Sequence, residues 1–132
     1  MTKEIAALKT AIIERFGTPC AVIDLDVVAR NIVKAQERCN AVALANRPHI
    51  KTHKSPVLAK LQIAAGAHGI TCQKLGEAEV MADAGITDIM LATNLLGAAR
   101  SGRLAALQKR LPLKVCADNA VSLAAYSKAA SQ

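Results

Sequence analysis

Arg47-Pro48-His49-Ile50-Lys51-Thr52-His53-Lys54 is the densest run of chemically capable side chains in the sequence. With a strand's period of two, Arg47, His49, Lys51 and His53 fall on one face, and Pro48, Ile50 and Thr52 on the other. The run therefore reads as a strand with one basic and one mostly apolar face. The residues C-terminal to it set the fold. Ser55-Pro56 is an N-cap with proline in the first helical turn, and Val57, Leu58, Leu61 and Ile63 carry a helix to Gly66. A second strand, Gly69–Gln73, leads to a helix opened by Gly76 and closed at Gly85. A third strand, Asp88–Asn94, leads to a helix over Ala98–Arg110, and a fourth, Leu113–Asp118, to a helix from Asn119 to about Ala130.

The strand ends at Lys51, Gln73, Asn94 and Asp118 recur roughly every 21–24 residues. Such a β/α repeat predicts parallel strands with right-handed crossovers. Each repeat ends its strand on a polar residue, and the carboxyl edge of a parallel sheet is where α/β folds bind ligands. Four β/α units are half the number that closes an eight-stranded barrel. The fold class is α/β: a small open sheet, or the first half of a (β/α)₈ TIM barrel.

Upstream, Lys3–Phe16 has the stripe of an amphipathic helix through Ile5, Leu8 and Ile12, ended by Gly17-Thr18-Pro19. Cys20–Leu25 reads as a short strand. Asp26 is placed to cap a helix reaching about Cys39, with Val27, Ile32 and Val33 as its core candidates.

The basic run admits several chemistries. It could be a solvated edge, a phosphate-binding patch, a His49/His53 metal pair, or the seat of an amine nucleophile. The metal pair is disfavoured by the cation between the two imidazoles and by the lack of a carboxylate or thiol in the run. An amine nucleophile must be neutral to attack a carbonyl, and burial or nearby positive charge favours that form. Lys51, flanked by His49 and His53, is the candidate. Glycine-rich dinucleotide and P-loop patterns are absent, which argues against a dehydrogenase or an NTPase.

Composition narrows the classes further. A chain of 132 residues with 52% hydrophobic content supports a folded core. The net charge of +7 comes largely from bases spread along helical segments (Lys9, Arg15, Arg30, Lys34), so it reads as solvated helix faces. With Phe16 and Tyr126 as its aromatics and no Trp, the chain has little to stack on bases, so no nucleic-acid partner is expected. Cys20, Cys39, Cys72 and Cys116 are far apart and read as reduced core fillers, and His68 as a surface residue. No apolar run reaches a membrane span and the N-terminus lacks the form of a signal peptide, so the expected compartment is the cytoplasm, with no membrane partner.

Read together, Thr18-Pro19-Cys20, Ile23-Asp24-Leu25-Asp26, Arg30-Asn31, the run from Arg47 to Ser55, Cys72-Gln73-Lys74-Leu75-Gly76-Glu77-Ala78-Glu79 and Ala84-Gly85-Ile86 resemble, in this order, the N-terminal part of the D-threonine aldolase and D-serine dehydratase family. These are pyridoxal-phosphate enzymes of the alanine-racemase-like fold type III. The resemblance runs from about Thr18 to the end of the chain. The Arg-Pro-His-x-Lys-Thr-His-Lys run is its most specific part.

The resemblance implies a lyase acting on D-amino acids, a D-threonine aldolase or a D-serine or 3-hydroxyaspartate dehydratase. It implies that Lys51 forms the Schiff base with pyridoxal 5'-phosphate and that Gln73 lies beside the cofactor. His49, His53 and Asn94 are the remaining cofactor-site candidates. Residues 1–26 become an N-terminal helix and a strand given to a second, β-rich domain, and residues 27–132 the first half of the barrel. The family also carries a divalent metal, zinc or manganese, whose ligands belong to a later portion with no counterpart in this chain. The expectation is a truncated, poorly active form whose partner is a second copy or a missing C-terminal half. The alternatives are a non-catalytic cofactor- or phosphate-binding module, or a fragment that folds only with a partner chain.

Overall fold

The computed structural model describes residues 3–131; Met1, Thr2 and Gln132, at the outer ends of the two expected domains, lie outside the described residues. Among the described residues, six α-helices and three short strands follow one another: α1 (Lys3–Phe16), α2 (Leu25–Asn40), α3 (Pro56–Ala64), β1 (Ile70–Cys72), α4 (Leu75–Asp83), β2 (Ile89–Leu91), α5 (Ala98–Gln108), β3 (Leu113–Val115) and α6 (Ala120–Ala130). The strands form one parallel sheet in the order β1-β2-β3, with Ile70 opposite Ile89 and Ile89 opposite Leu113.

The alternation of strand and helix follows from local signals. The Ser55 hydroxyl accepts the Leu58 N–H, and Asn119 accepts the Ser122 N–H at 2.9 Å, so α3 and α6 begin where their caps predict. Gly85, at φ +87, turns the chain out of α4 in a conformation that glycine adopts without steric cost. Packing does the rest. Ile70, Cys72, Ile89 and Leu91 from the strands are fully buried against Met81, Leu104, Leu107 and Tyr126 from the helices. All three residues of β1 are buried, whereas β3 is the open edge, with Lys114 and Val115 exposed.

The basic run is not a strand through Lys51. The Pro48 carbonyl accepts the Thr71 N–H at 2.8 Å and His49 forms a single parallel bridge with Thr71. Pro48 has no N–H to return to β1, so the ladder does not extend. The chain then tightens into a 3₁₀ turn, Ile50–Thr52, capped by the His49 side chain. Three β strands and one bridge therefore stand where four strands were expected.

The N-terminal part departs further from expectation. Residues 20–24 form no strand, and Asp24 rather than Asp26 caps α2, accepting the Val27 N–H at 3.0 Å. Val27 and Val33 are exposed; the residue that α2 buries is Gln36, held by Asn40 and Asn46. No residue of α1 is buried. Lys74 rather than Gly76 is the N-cap of α4. Of the four cysteines, Cys72 alone is a core filler; Cys20 is exposed, and Cys39 and Cys116 are intermediate.

Candidate functional site

The carboxyl ends of the strands and the 3₁₀ turn face a common edge, and the site is built there. The Lys51 backbone N–H donates to His49 Nδ1 at 3.2 Å. That nitrogen therefore carries a lone pair, and the ring proton sits on Nε2, 3.3 Å from Gln73 Oε1. One hydrogen-bond chain thus runs from the backbone of Lys51 through the imidazole to the end of β1. It fixes both the tautomer of His49 and the orientation of Gln73.

Lys51 itself is exposed, and its ammonium has no hydrogen bond or ion pair among the described residues. The burial expected of it is not supplied by these residues. His53 makes none of the contacts of His49. Its Nδ1 accepts the Ser55 N–H at 3.0 Å, leaving Nε2 as a buried donor without an acceptor. Arg47 is diverted altogether. Its guanidinium binds Asp88 at 2.6 Å beside the start of β2, where Lys114 meets the same carboxylate at 2.8 Å. The Arg47 hydrogen bond leads in holding the Asp88 carboxyl down at about 2. Arg47 is a structural residue at the opposite end of the sheet from Gln73, and the single basic face read from the strand period does not exist.

Asn94 closes the far side. Its amide donates to Asp118 at 2.6 Å, joining the segments that follow β2 and β3. The loop that carries it is held by Tyr126, whose hydroxyl donates to the Thr93 carbonyl at 3.1 Å and accepts the Leu95 N–H at 2.9 Å. Tyr126 and Glu77 are residues that sequence reasoning missed. Glu77 Oε2 accepts the N–H groups of Gln73 and Lys74, at 2.9 and 3.2 Å, and Oε1 meets the Lys54 ammonium at 2.9 Å. Burial raises the Glu77 pKa, but the Lys54 and backbone hydrogen bonds outweigh it and the net shift is downward. The signal for Glu77 was its place as third residue of α4, where a carboxylate reaches back to the cap. Cys72, one residue before Gln73, is made inert: burial, reinforced by the Glu77 charge, pushes its thiol up to about 12.

Comparison with known proteins bears on this arrangement. No protein-family model matches the chain. A D-threonine aldolase from Arthrobacter sp is 39% identical over 118 residues, 89% of this chain and 31% of the relative. A D-threo-3-hydroxyaspartate dehydratase from Delftia sp. is 41% identical over 114 residues, 84% of this chain and 30% of the relative. The crystal structure of D-threonine aldolase from Filomicrobium marinum superposes with a TM-score of 0.83 at 38% identity, covering 86% of this chain and 31% of that one. The chain belongs to the D-threonine aldolase and D-serine dehydratase family. It spans about 30% of the length of the curated relatives it matches. Among the described residues no group of three or more His, Cys, Asp and Glu is placed to hold a metal ion, so these residues do not by themselves fit a metal centre. No helix among them is long and apolar enough to cross a membrane.

Proposed function

We propose that this chain supplies the carbonyl-capturing lysine and one wall of the cofactor site of a pyridoxal-phosphate lyase acting on D-amino acids. The observation that carries the reading is the His49–Gln73 contact at 3.3 Å, which seats the Lys51 turn against the carboxyl end of β1. The residues fit the cofactor: Lys51, whose amine has no partner among the described residues, sits in a turn whose backbone bonds His49, and His49 bonds Gln73, on the edge where α/β folds bind ligands. When bound, pyridoxal phosphate supplies an electron sink for the pair left on the α-carbon.

The chain's own residues have distinct parts in this reading. Lys51 would hold the cofactor through its side-chain amine. His49 orients the Lys51 backbone through Nδ1 and presents its Nε2 proton to Gln73. Gln73 and Asn94 follow one another along the same edge, after β1 and β2, and the buried Nε2 of His53 has no acceptor among the described residues. The parallel β/α units are read as the opening part of an eight-stranded barrel, completed by further chain or a second subunit, in a cytoplasmic enzyme. Relatives bearing the names of an aldolase and a dehydratase support a β-hydroxy D-amino acid as substrate.

The test is reductive trapping. The 132-residue protein is incubated with pyridoxal phosphate, reduced with borohydride and mapped by mass spectrometry. Label on Lys51, lost in Lys51→Ala, is expected; label on another lysine overturns the site. Turnover of D-threonine or D-serine with added divalent metal then separates a lyase from the second reading, a cofactor-binding module without catalysis, which the exposure of Lys51 favours.

A further inference from the structure

Beyond Lys51, a cleft of about 640 Å³ lies at the carboxyl edge between the starts of α4 and α5. It begins at Gln73 and Lys74, passes Leu75, Gly76 and Glu77, and ends on Thr93, Asn94 and the α5 bases Arg100 and Arg103, with Lys54 at its rim. Lys51, His49 and His53 are not among its lining residues. We propose that this cleft, which shares Gln73 and Asn94 with the edge that carries Lys51, is an oxyanion site that takes a carboxylate or phosphate group of a small ligand.

Charge is the first argument. Four bases line the cleft against one carboxylate, Glu77. Two of the bases are already committed: Lys54 to Glu77 at 2.9 Å, and Arg103 to Glu79, which it grips through both Nε and Nη2. Lys74 and Arg100 are left with side chains that meet no carboxylate among the described residues. The committed pairs hold the walls while the two uncommitted cations set the field inside.

Backbone geometry is the second. Leu75 and Gly76 are the first residues of a nine-residue helix, so their N–H groups have no acceptor within it. Glu77 satisfies the amides of Gln73 and Lys74 but not these two. At Gly76 an added Cβ would meet only the Arg103 guanidinium, at 3.8 Å, so the backbone is open to a ligand and a cation lies near it. Thr93 adds a hydroxyl on the facing wall, while the Asn94 amide there is held by Asp118. Amides at a helix start, an open glycine and free cations across a cleft together form an oxyanion cradle.

Two sources of the same chemistry fit: the side-chain carboxylate of an acidic amino acid, and a phosphate. Titrations of the full chain with inorganic phosphate, D-aspartate and D-threonine, followed by the amide signals of Gly76 and Thr93 in NMR spectra, decide. Saturable shifts with phosphate or D-aspartate, at least tenfold weaker with D-threonine, are expected. The double variant Lys74→Gln/Arg100→Gln is expected to weaken that binding at least tenfold, while keeping the circular-dichroism spectrum and the Lys51 trapping unchanged. Phosphate alone binding assigns the cleft to a phosphate; D-aspartate binding assigns it to an acidic amino acid. No saturable shift, equal binding of all three probes, or full binding in the double variant overturns the proposal. Loss of Lys51 trapping in the wild type would strike the lyase reading and leave the cleft standing.

Discussion

The Lys54 ammonium lies 2.9 Å from Glu77 Oε1, and this pair ties the turn that carries Lys51 to the start of α4. Lys54 reaches it from a left-handed backbone, φ 51°, which costs a non-glycine residue about 1 kcal/mol. The strain is held because the Lys54 N–H also bonds the Ile50 carbonyl at 2.8 Å. Glu77→Gln is expected to destabilise the protein by about 1–3 kcal/mol in urea denaturation at pH 7. The Glu77 pKa is held below its usual 4.5, so its contribution is complete above that value and is lost as pH falls below it. The gap between wild type and Glu77→Gln should therefore narrow at pH 3; a gap that widens there would contradict the assignment.

Asp88 makes a similar argument at the other end of the sheet. It accepts from Arg47 and Lys114, and Gly69 is required where the chain passes it, since a Cβ there would lie 2.6 Å from the Asp88 carbonyl oxygen. Asp88→Asn is expected to cost about 1–2 kcal/mol, with solvent exposure of the carboxylate limiting the effect. With a folded pKa of about 2 against the ordinary 3.8, its stabilisation is present above 3.8 and lost as pH falls toward 2. Acid titrations of the two proteins should converge only in that lower window.

His49 is expected to act on Lys51 through position. His49→Phe removes the acceptor for the Lys51 N–H and the partner of Gln73. The rate of borohydride-trapped labelling at Lys51 is expected to fall about tenfold or more. Gln73→Ala, which leaves the Lys51 N–H bond to Nδ1 in place, is expected to have a smaller effect. Equal rates in all three proteins would remove His49 from the site.

Tyr126→Phe deletes two hydrogen bonds from a buried hydroxyl and leaves the Leu95 N–H without its acceptor. A loss of about 1–3 kcal/mol is expected. Faster hydrogen exchange at Leu95 than at Ile89 would show that the loosening is confined to the Asn94 loop. Uniform acceleration along β2 would show instead that Tyr126 supports the sheet as a whole.

The β/α rhythm was legible in the residues because its signals are local. Ser55-Pro56 and Asn119 start helices, Gly66 and Gly85 end them, and short β-branched runs lie between. Lys51, Gln73 and Asn94 could be placed at one edge for the same reason, since parallel strands bring their carboxyl ends together. Three things depended on the tertiary structure. The run through Lys51 leaves the sheet after His49, where the imidazole caps a 3₁₀ turn, which a period-two pattern does not encode. The apolar residues of α1 and α2 declare a need for burial but not the surface that meets it, and in this chain most of them stand exposed. The contacts that shape the site, His49 with Gln73, Lys54 with Glu77 and Tyr126 with Leu95, join residues 23 to 31 positions apart. Propensity and capping are settled within a few residues. Which distant side chains meet is settled only when the helices pack on the sheet and bring one turn against the next.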